Sequence, residues 1–280
     1  MREILDKNTK AVRKPRIAFK RLGGKNMKRS LTALLSFIIL IMPATLFSGD
    51  CGDINNDSSI NIFDITHLIS FLYLDGPDPD CGTITDIDGN VYQTITIGSQ
   101  VWMMENLKVT HYRNGDPIPN ERDNTAWAGL STGAYCNYVN DEHNVATYGR
   151  LYNWYSVDDS RNIAPEGWHV PTDAEWQILV NYLGGGAVAG GKMKEAGTAH
   201  WNSPNTGATN ESGFTGLPGE YRNYLGSFSS PMGNNAFFWS STDDEGSAMA
   251  WFRSLHFDAG AIGQLIYGKQ SGFSVRCVKD

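Results

Sequence analysis

Three features of the sequence predict an α+β fold for the body of this chain. From residue 83 onward, glycines cut it into short β-branched and aromatic runs; one capped, amphipathic helix stands among them; and long loops separate the pieces. Residues 91–97 and 100–104 read as a hairpin, because both runs are rich in strand formers and Gly98-Ser99 supplies a two-residue turn. Residues 173–183 read as the helix. Pro171 precedes it, Thr172 and Glu175 form a capping box, and Trp176, Leu179, Val180 and Leu183 line one face before Gly184, Gly185 and Gly186 stop it. Residues 237–242, 248–255 and 272–278 read as further strands.

The N-terminal quarter has a different character. Of 23 Lys+Arg and 30 Asp+Glu, eleven basic and two acidic residues fall within 1–29, so the total charge of −7 divides into +9 there and −16 on the remainder. An acidic body argues against nucleic acid, whose phosphates are held by clustered Lys and Arg. Residues 31–47 carry no charge, follow Met27-Lys28-Arg29, and precede the small pair Ser48-Gly49. That order predicts an export signal, with Met27 as its working start and residues 1–49 as leader. An uncleaved anchor is the alternative, and either places the body at the cell surface or outside the cell.

Residues 50–82 form a second segment. Asp53, Asn55, Asp57, Ser59, Asn61 and Asp64 stand at positions 1, 3, 5, 7, 9 and 12 of a loop, and Ile65, Leu68, Ile69 and Leu72 stripe the helix expected after it. Calcium prefers six to eight hard oxygens, and this spacing wraps such ligands around one ion, Ser59 contributing its backbone carbonyl. The loop is EF-hand-like but resembles a type I dockerin repeat more closely, with Asp at position 12 and Asn at 3 and 9. A complete dockerin has two such repeats, and here there is one. Ile62-Phe63 occupies the place where dockerins carry small hydroxyls, which argues against a cohesin partner. The Pro/Gly/Asp stretch 74–82 reads as a linker.

Four cysteines, Cys51, Cys81, Cys136 and Cys277, follow the signal. An even number in an exported chain predicts disulfides; of the three possible pairings Cys51 with Cys81 and Cys136 with Cys277 is favoured, free buried thiols being the alternative for the second pair.

Six motifs occur in order across residues 85–280. They are Val101-Trp102-Met103-Met104-Glu105-Asn106-Leu107, Tyr148-Gly149-Arg150-Leu151-Tyr152-Asn153-Trp154-Tyr155, Gly167-Trp168-His169-Val170-Pro171-Thr172-Asp173-Ala174-Glu175-Trp176, Asn210-Glu211-Ser212-Gly213-Phe214, Phe238-Trp239-Ser240-Ser241-Thr242 and Gly272-Phe273-Ser274-Val275-Arg276-Cys277-Val278. Together they resemble the Fibrobacter succinogenes major paralogous domain. The resemblance implies a C-type-lectin-like fold, in the broad group of the formylglycine-generating enzymes, for a third segment over 83–280. It implies no catalytic residue.

The histidines show no HxH or HExxH spacing, and no nucleophile elbow or phosphate loop is present. A formylglycine-generating activity needs two cooperating cysteines near the end of the domain, where Cys277 stands alone. Asp141-Glu142-His143 and Asp243-Asp244-Glu245 read as polar turns. Tyr135, Tyr148, Tyr152, Trp154, Tyr155, Trp168, Trp176, Trp201, Trp239 and Trp251 make the domain aromatic-rich, and most are expected in the core with some free to stack on sugar. The sequence therefore predicts a non-catalytic exported protein, stiffened by Ca²⁺ and carrying an adhesion or glycan-binding module for polysaccharide or cell-surface glycan. The alternative is a polysaccharide-degrading enzyme or its accessory subunit, docked through the dockerin-like repeat.

Overall fold

The computed structural model describes residues 82–228 and 231–280. The export run 31–47, Cys51, Cys81, the loop ligands Asp53, Asn55, Asp57, Ser59, Asn61 and Asp64, and most of the linker lie outside the described residues.

The elements are β1 (Thr83–Thr85), β2 (Val91–Ile97), β3 (Gln100–Met103), α1 (Asn124–Ala128), β4 (Tyr135–Cys136), α2 (Val145–Tyr148), β5 (Leu151–Tyr152), α3 (Trp154–Val157), β6 (Trp168–His169), α4 (Asp173–Tyr182), α5 (Gly186–Met193), β7 (Asn235–Asp243), β8 (Met249–His256), β9 (Ile262–Gly268) and β10 (Val278–Lys279). They build three antiparallel sheets, of order β1-β2-β3-β10-β6, β4-β5 and β7-β8-β9. Mixed α+β architecture is thus present as expected.

The predicted hairpin forms between β2 and β3, with Ile97 opposite Gln100 and Gly98 at φ 65° in their turn. The predicted helix is α4, and its capping box closes: Glu175 N donates to Thr172 Oγ1 at 3.2 Å and Thr172 N to Glu175 Oε2 at 2.8 Å. Its buried stripe, Trp176, Leu179 and Val180, packs into a cluster with Trp102, Phe214, Phe238 and Leu255.

Strand β7 explains its own composition. Alternate residues of a strand point to opposite faces, and both faces here are covered, so Phe238 enters the cluster under α4 while Trp239 enters a second one with Tyr152, Phe252 and Phe273. A continuous apolar run is the result.

Three expectations needed revision. The expected strand 272–278 is reduced to its end: Val278 opens β10, while Gly272, Phe273 and Ser274 form single bridges, each to a different neighbour, Arg222, Tyr152 and Phe238. Gly186 does not merely end α4 but begins α5, a helix that glycine content conceals. A Cβ on Gly190 would stand 2.2 Å from the Ala261 carbonyl oxygen and one on Gly191 2.2 Å from that of Gly207, so close backbone approach outweighs poor helix propensity.

The third is a correction. Cys136 and Cys277 form no disulfide; both are free and buried. Cys136 packs with Trp127, Ala134 and Leu151, whereas Cys277 belongs to the cluster around Tyr152 and Phe273, so each thiol fills space in a separate apolar group. Burial pushes the Cys136 thiol up to about 12, against a smaller opposing effect of Arg222, and raises Cys277 as well. Neither supplies a thiolate at neutral pH. In the full-length protein, iodoacetamide should therefore leave Cys136 and Cys277 largely unmodified in buffer and alkylate both in denaturant without prior reduction, as read by peptide mass spectrometry. A requirement for reductant would overturn this assignment.

Candidate functional site

Buried cations are the first polar feature of the domain, and they serve the fold. Lys194 Nζ donates to the carbonyls of Thr206, His256 and Ala259 at 2.8–3.0 Å. Arg222 lies between Trp127 and Phe228 and donates to Glu121, Arg122 and Gly226 carbonyls and to Asn124 Oδ1. Each charge is matched by the acceptors that a buried cation needs, and none is presented to a ligand.

Residues singled out by sequence separate in the same way. Of the ten aromatics named above, Tyr135, Tyr152, Trp154, Trp168, Trp176, Trp201 and Trp239 are buried, while Tyr148, Tyr155 and Trp251 are half-buried. Asp141 and His143 pair with each other at 2.8 Å on the surface, and Glu142 turns away to Arg150 at 2.9 Å. Asp243 and Asp244 accept hydrogen bonds from Gly246 and Ser247 within their own turn. Among the described residues, no group of three or more His, Cys, Asp or Glu side chains could hold a metal ion.

A cavity of about 240 Å³ opens between the β1–β2 turn and the 163–166 segment, with Asp86, Arg113 and Glu166 on its wall. Two of its polar groups are already engaged. Asp86 accepts from Asp88 N, Asn90 N, Asn90 Nδ2 and Tyr92 Oη, and Arg113 donates to the Ala164, Pro165 and Trp168 carbonyls.

A partly exposed aromatic surface lies on one face of the β7-β8-β9 sheet. Pairing places Trp239 beside Phe252 and Phe252 beside Leu265, and two residues further along β9 stands Tyr267 on the same side. Tyr221 and Tyr224, from the loop before β7, close over this face. Phe273 is the buried floor, 5.9 Å from Tyr267 and 5.7 Å from Tyr221. Above it the rings emerge toward solvent. Tyr221, Phe237 and Tyr267 are half-buried, and Tyr224 and Leu265 are 45% and 52% exposed. Tyr221 meets Phe237 at 4.7 Å and Tyr267 at 6.2 Å, and Tyr224 meets Tyr267 at 5.7 Å. Burial, together with the neighbouring Tyr221 and Tyr224, raises the Tyr267 phenol, so it stays a neutral hydroxyl.

One end of this surface is polar. The edge of Phe237 approaches His256 at 6.0 Å; His256 Nδ1 lies 2.8 Å from Asn235 Oδ1 and Nε2 3.1 Å from Ser254 Oγ. Burial lowers the His256 pKa and nearby Lys194 adds to this, against the pull of Asp258, so the imidazole is neutral near pH 7. His256, Asn235 and Ser254 satisfy one another, and Asn235 Nδ2 donates to Glu220 Oε2, so what this surface offers a ligand is the amphipathic area of its exposed rings.

Sequence reasoning missed Tyr221, Tyr224, Leu265 and Tyr267. The one available signal was the alternation of Leu265 and Tyr267 along β9, which also leaves Gly263 on that face.

Comparison with curated proteins and with solved structures finds no match. The family model of the Fibrobacter succinogenes major domain does match, over residues 95–279, a stretch that contains every element from β3 to β10 and the whole of the tyrosine surface, and the chain belongs to that family.

Proposed function

We infer that this is a non-catalytic exported protein whose family domain is an adhesion or glycan-binding module with a C-type-lectin-like fold. The observation that carries the reading is the half-exposed cluster of Tyr221, Tyr224 and Tyr267, backed by Phe273 and flanked by neutral His256 and Asn235. Tyrosine offers broad contact area at small entropic cost and keeps a hydroxyl for hydrogen bonding, which fits a sugar's apolar face and polar rim. Export rests on the basic, then apolar, leader, and the lectin-like assignment on the order of the six motifs. The Asp53–Asp64 repeat adds a structural Ca²⁺ that stiffens the segment ahead of the domain.

Two measurements test this. On a glycan array the full-length protein should bind at least one polysaccharide, with no release of reducing ends in a parallel assay; turnover without another protein would overturn the reading in favour of an enzyme. Calorimetric titration with Ca²⁺ should give a binding heat that the double variant D53A/D57A loses. Equal heat from both proteins would remove the calcium claim.

A further inference from the structure

The angles between the exposed rings limit what they can hold. Tyr221 is inclined 85° to Tyr267, Tyr224 62° to Tyr267, and Tyr221 65° to Phe237. No two of these neighbouring rings share a plane, so a flat, crystalline polysaccharide face laid on one would leave the next edge-on and out of stacking contact. A single chain rotates about its glycosidic bonds and can put a sugar's face on one ring and its edge against the next. The corner is also held open in advance. Phe273 supports both Tyr221 and Tyr267 from below, and Gly268 sits against Tyr224, where an added Cβ would come within 3.3 Å of the tyrosine Cβ. A surface fixed before binding loses little freedom when occupied.

Charge narrows the ligand further. The ring contacts of the cluster are with other aromatic rings and with the neutral His256, and residues 82–280 carry 12 basic and 21 acidic side chains, a net charge of −9. An anionic chain would meet repulsion without a compensating pair. The ring contacts run from His256 through Phe237, Tyr221 and Tyr267 to Tyr224 in steps of 4.7–6.2 Å.

We propose that the corner formed by Tyr221, Tyr224 and Tyr267 binds a single, soluble chain of a neutral polysaccharide, and rejects crystalline surfaces and acidic polysaccharides. This deepens the glycan-binding reading and rests on it.

The test is affinity electrophoresis of the full-length protein in gels containing soluble glucans, mannans, xylans or polygalacturonate, beside a pull-down on microcrystalline cellulose. At least one neutral chain should retard the protein. Tyr224→Ala should weaken that retardation about ten-fold, the loss typical of an exposed aromatic anchor. Tyr267→Phe should weaken it less, by removing only a hydroxyl, and Tyr182→Ala should leave it unchanged, since Tyr182 is exposed on α4 beside Gly98 and outside the cluster. Circular dichroism checks that each variant is folded. Binding to crystalline cellulose or polygalacturonate that Tyr224→Ala abolishes would overturn the ligand class and leave the glycan-binding reading standing. Retardation unchanged in Tyr224→Ala would overturn the site. Silence on every polysaccharide would overturn both.

Discussion

Arg276→Met lowers the unfolding free energy by about 2–4 kcal/mol, because it leaves two buried acceptors without their donor at a cost of about 1–3 kcal/mol each. Arg276 is buried, with its guanidinium 4.3 Å from the Phe214 ring centre. Nε and Nη2 both donate to Asn106 Oδ1, at 3.1 and 2.7 Å, and Nη1 donates to the Phe214 carbonyl. Asn106 in turn donates to the Tyr148 carbonyl and to Ser274 Oγ. One side chain thus ties together the segments after β3, before β5, near 214 and before β10. Methionine fills the space but leaves Asn106 Oδ1 and the Phe214 carbonyl without their charged donor. Lysine does not rescue, since a point charge cannot reproduce the planar fork that reaches both acceptors. Urea unfolding followed by tryptophan fluorescence reads the loss as a lower midpoint at unchanged slope. A shift below about 1 kcal/mol would mean that the network is dispensable.

Trp239→Ala should cost a comparable amount, about 3–5 kcal/mol, for a different reason. Trp239 is fully buried, packs on Phe273 with ring centres 4.2 Å apart, and donates from Nε1 to the Tyr152 carbonyl at 2.8 Å. Truncation opens a cavity beneath the tyrosine surface and leaves that carbonyl with the Phe273 N–H alone as donor. Trp239→Phe keeps most of the volume and loses the hydrogen bond, so its smaller cost separates the two contributions. Thermal unfolding of the three proteins ranks them wild type, Trp239→Phe, Trp239→Ala. Equal midpoints for the two variants would place the whole effect on the hydrogen bond.

The same residues explain what the sequence makes legible. Each of the six motifs contributes side chains that hold the fold together: Trp102 and Trp176 pack at 4.8 Å, Trp154 donates to the Ser240 carbonyl, Phe214 and Asn106 receive Arg276, and Thr172 with Glu175 caps α4. Such positions combine bulk, burial and fixed hydrogen-bond geometry, and they stand out as tryptophans, capping pairs and glycines. Capping chemistry and a two-residue turn act over three or four neighbours, so α4 and the β2–β3 hairpin could be read locally. Helix α5 and the bridges at 272–274 depend on backbone approaches between distant segments, which no local pattern encodes. The tyrosine surface was hidden for a related reason. Tyr221 and Tyr224 come from a loop between motifs, and only the return of β9 some forty residues later brings Tyr267 to them.

The two unpaired thiols have a consequence for where this domain can mature. A core built around Cys136 and Cys277 as small apolar side chains asks nothing of the surrounding redox poise. Its folding waits on no oxidase, and it reaches the same native state in a reducing cytosol as in an oxidising exterior. Oxidation of either sulfur, by adding polar oxygen to a sealed apolar cluster, is damage rather than maturation.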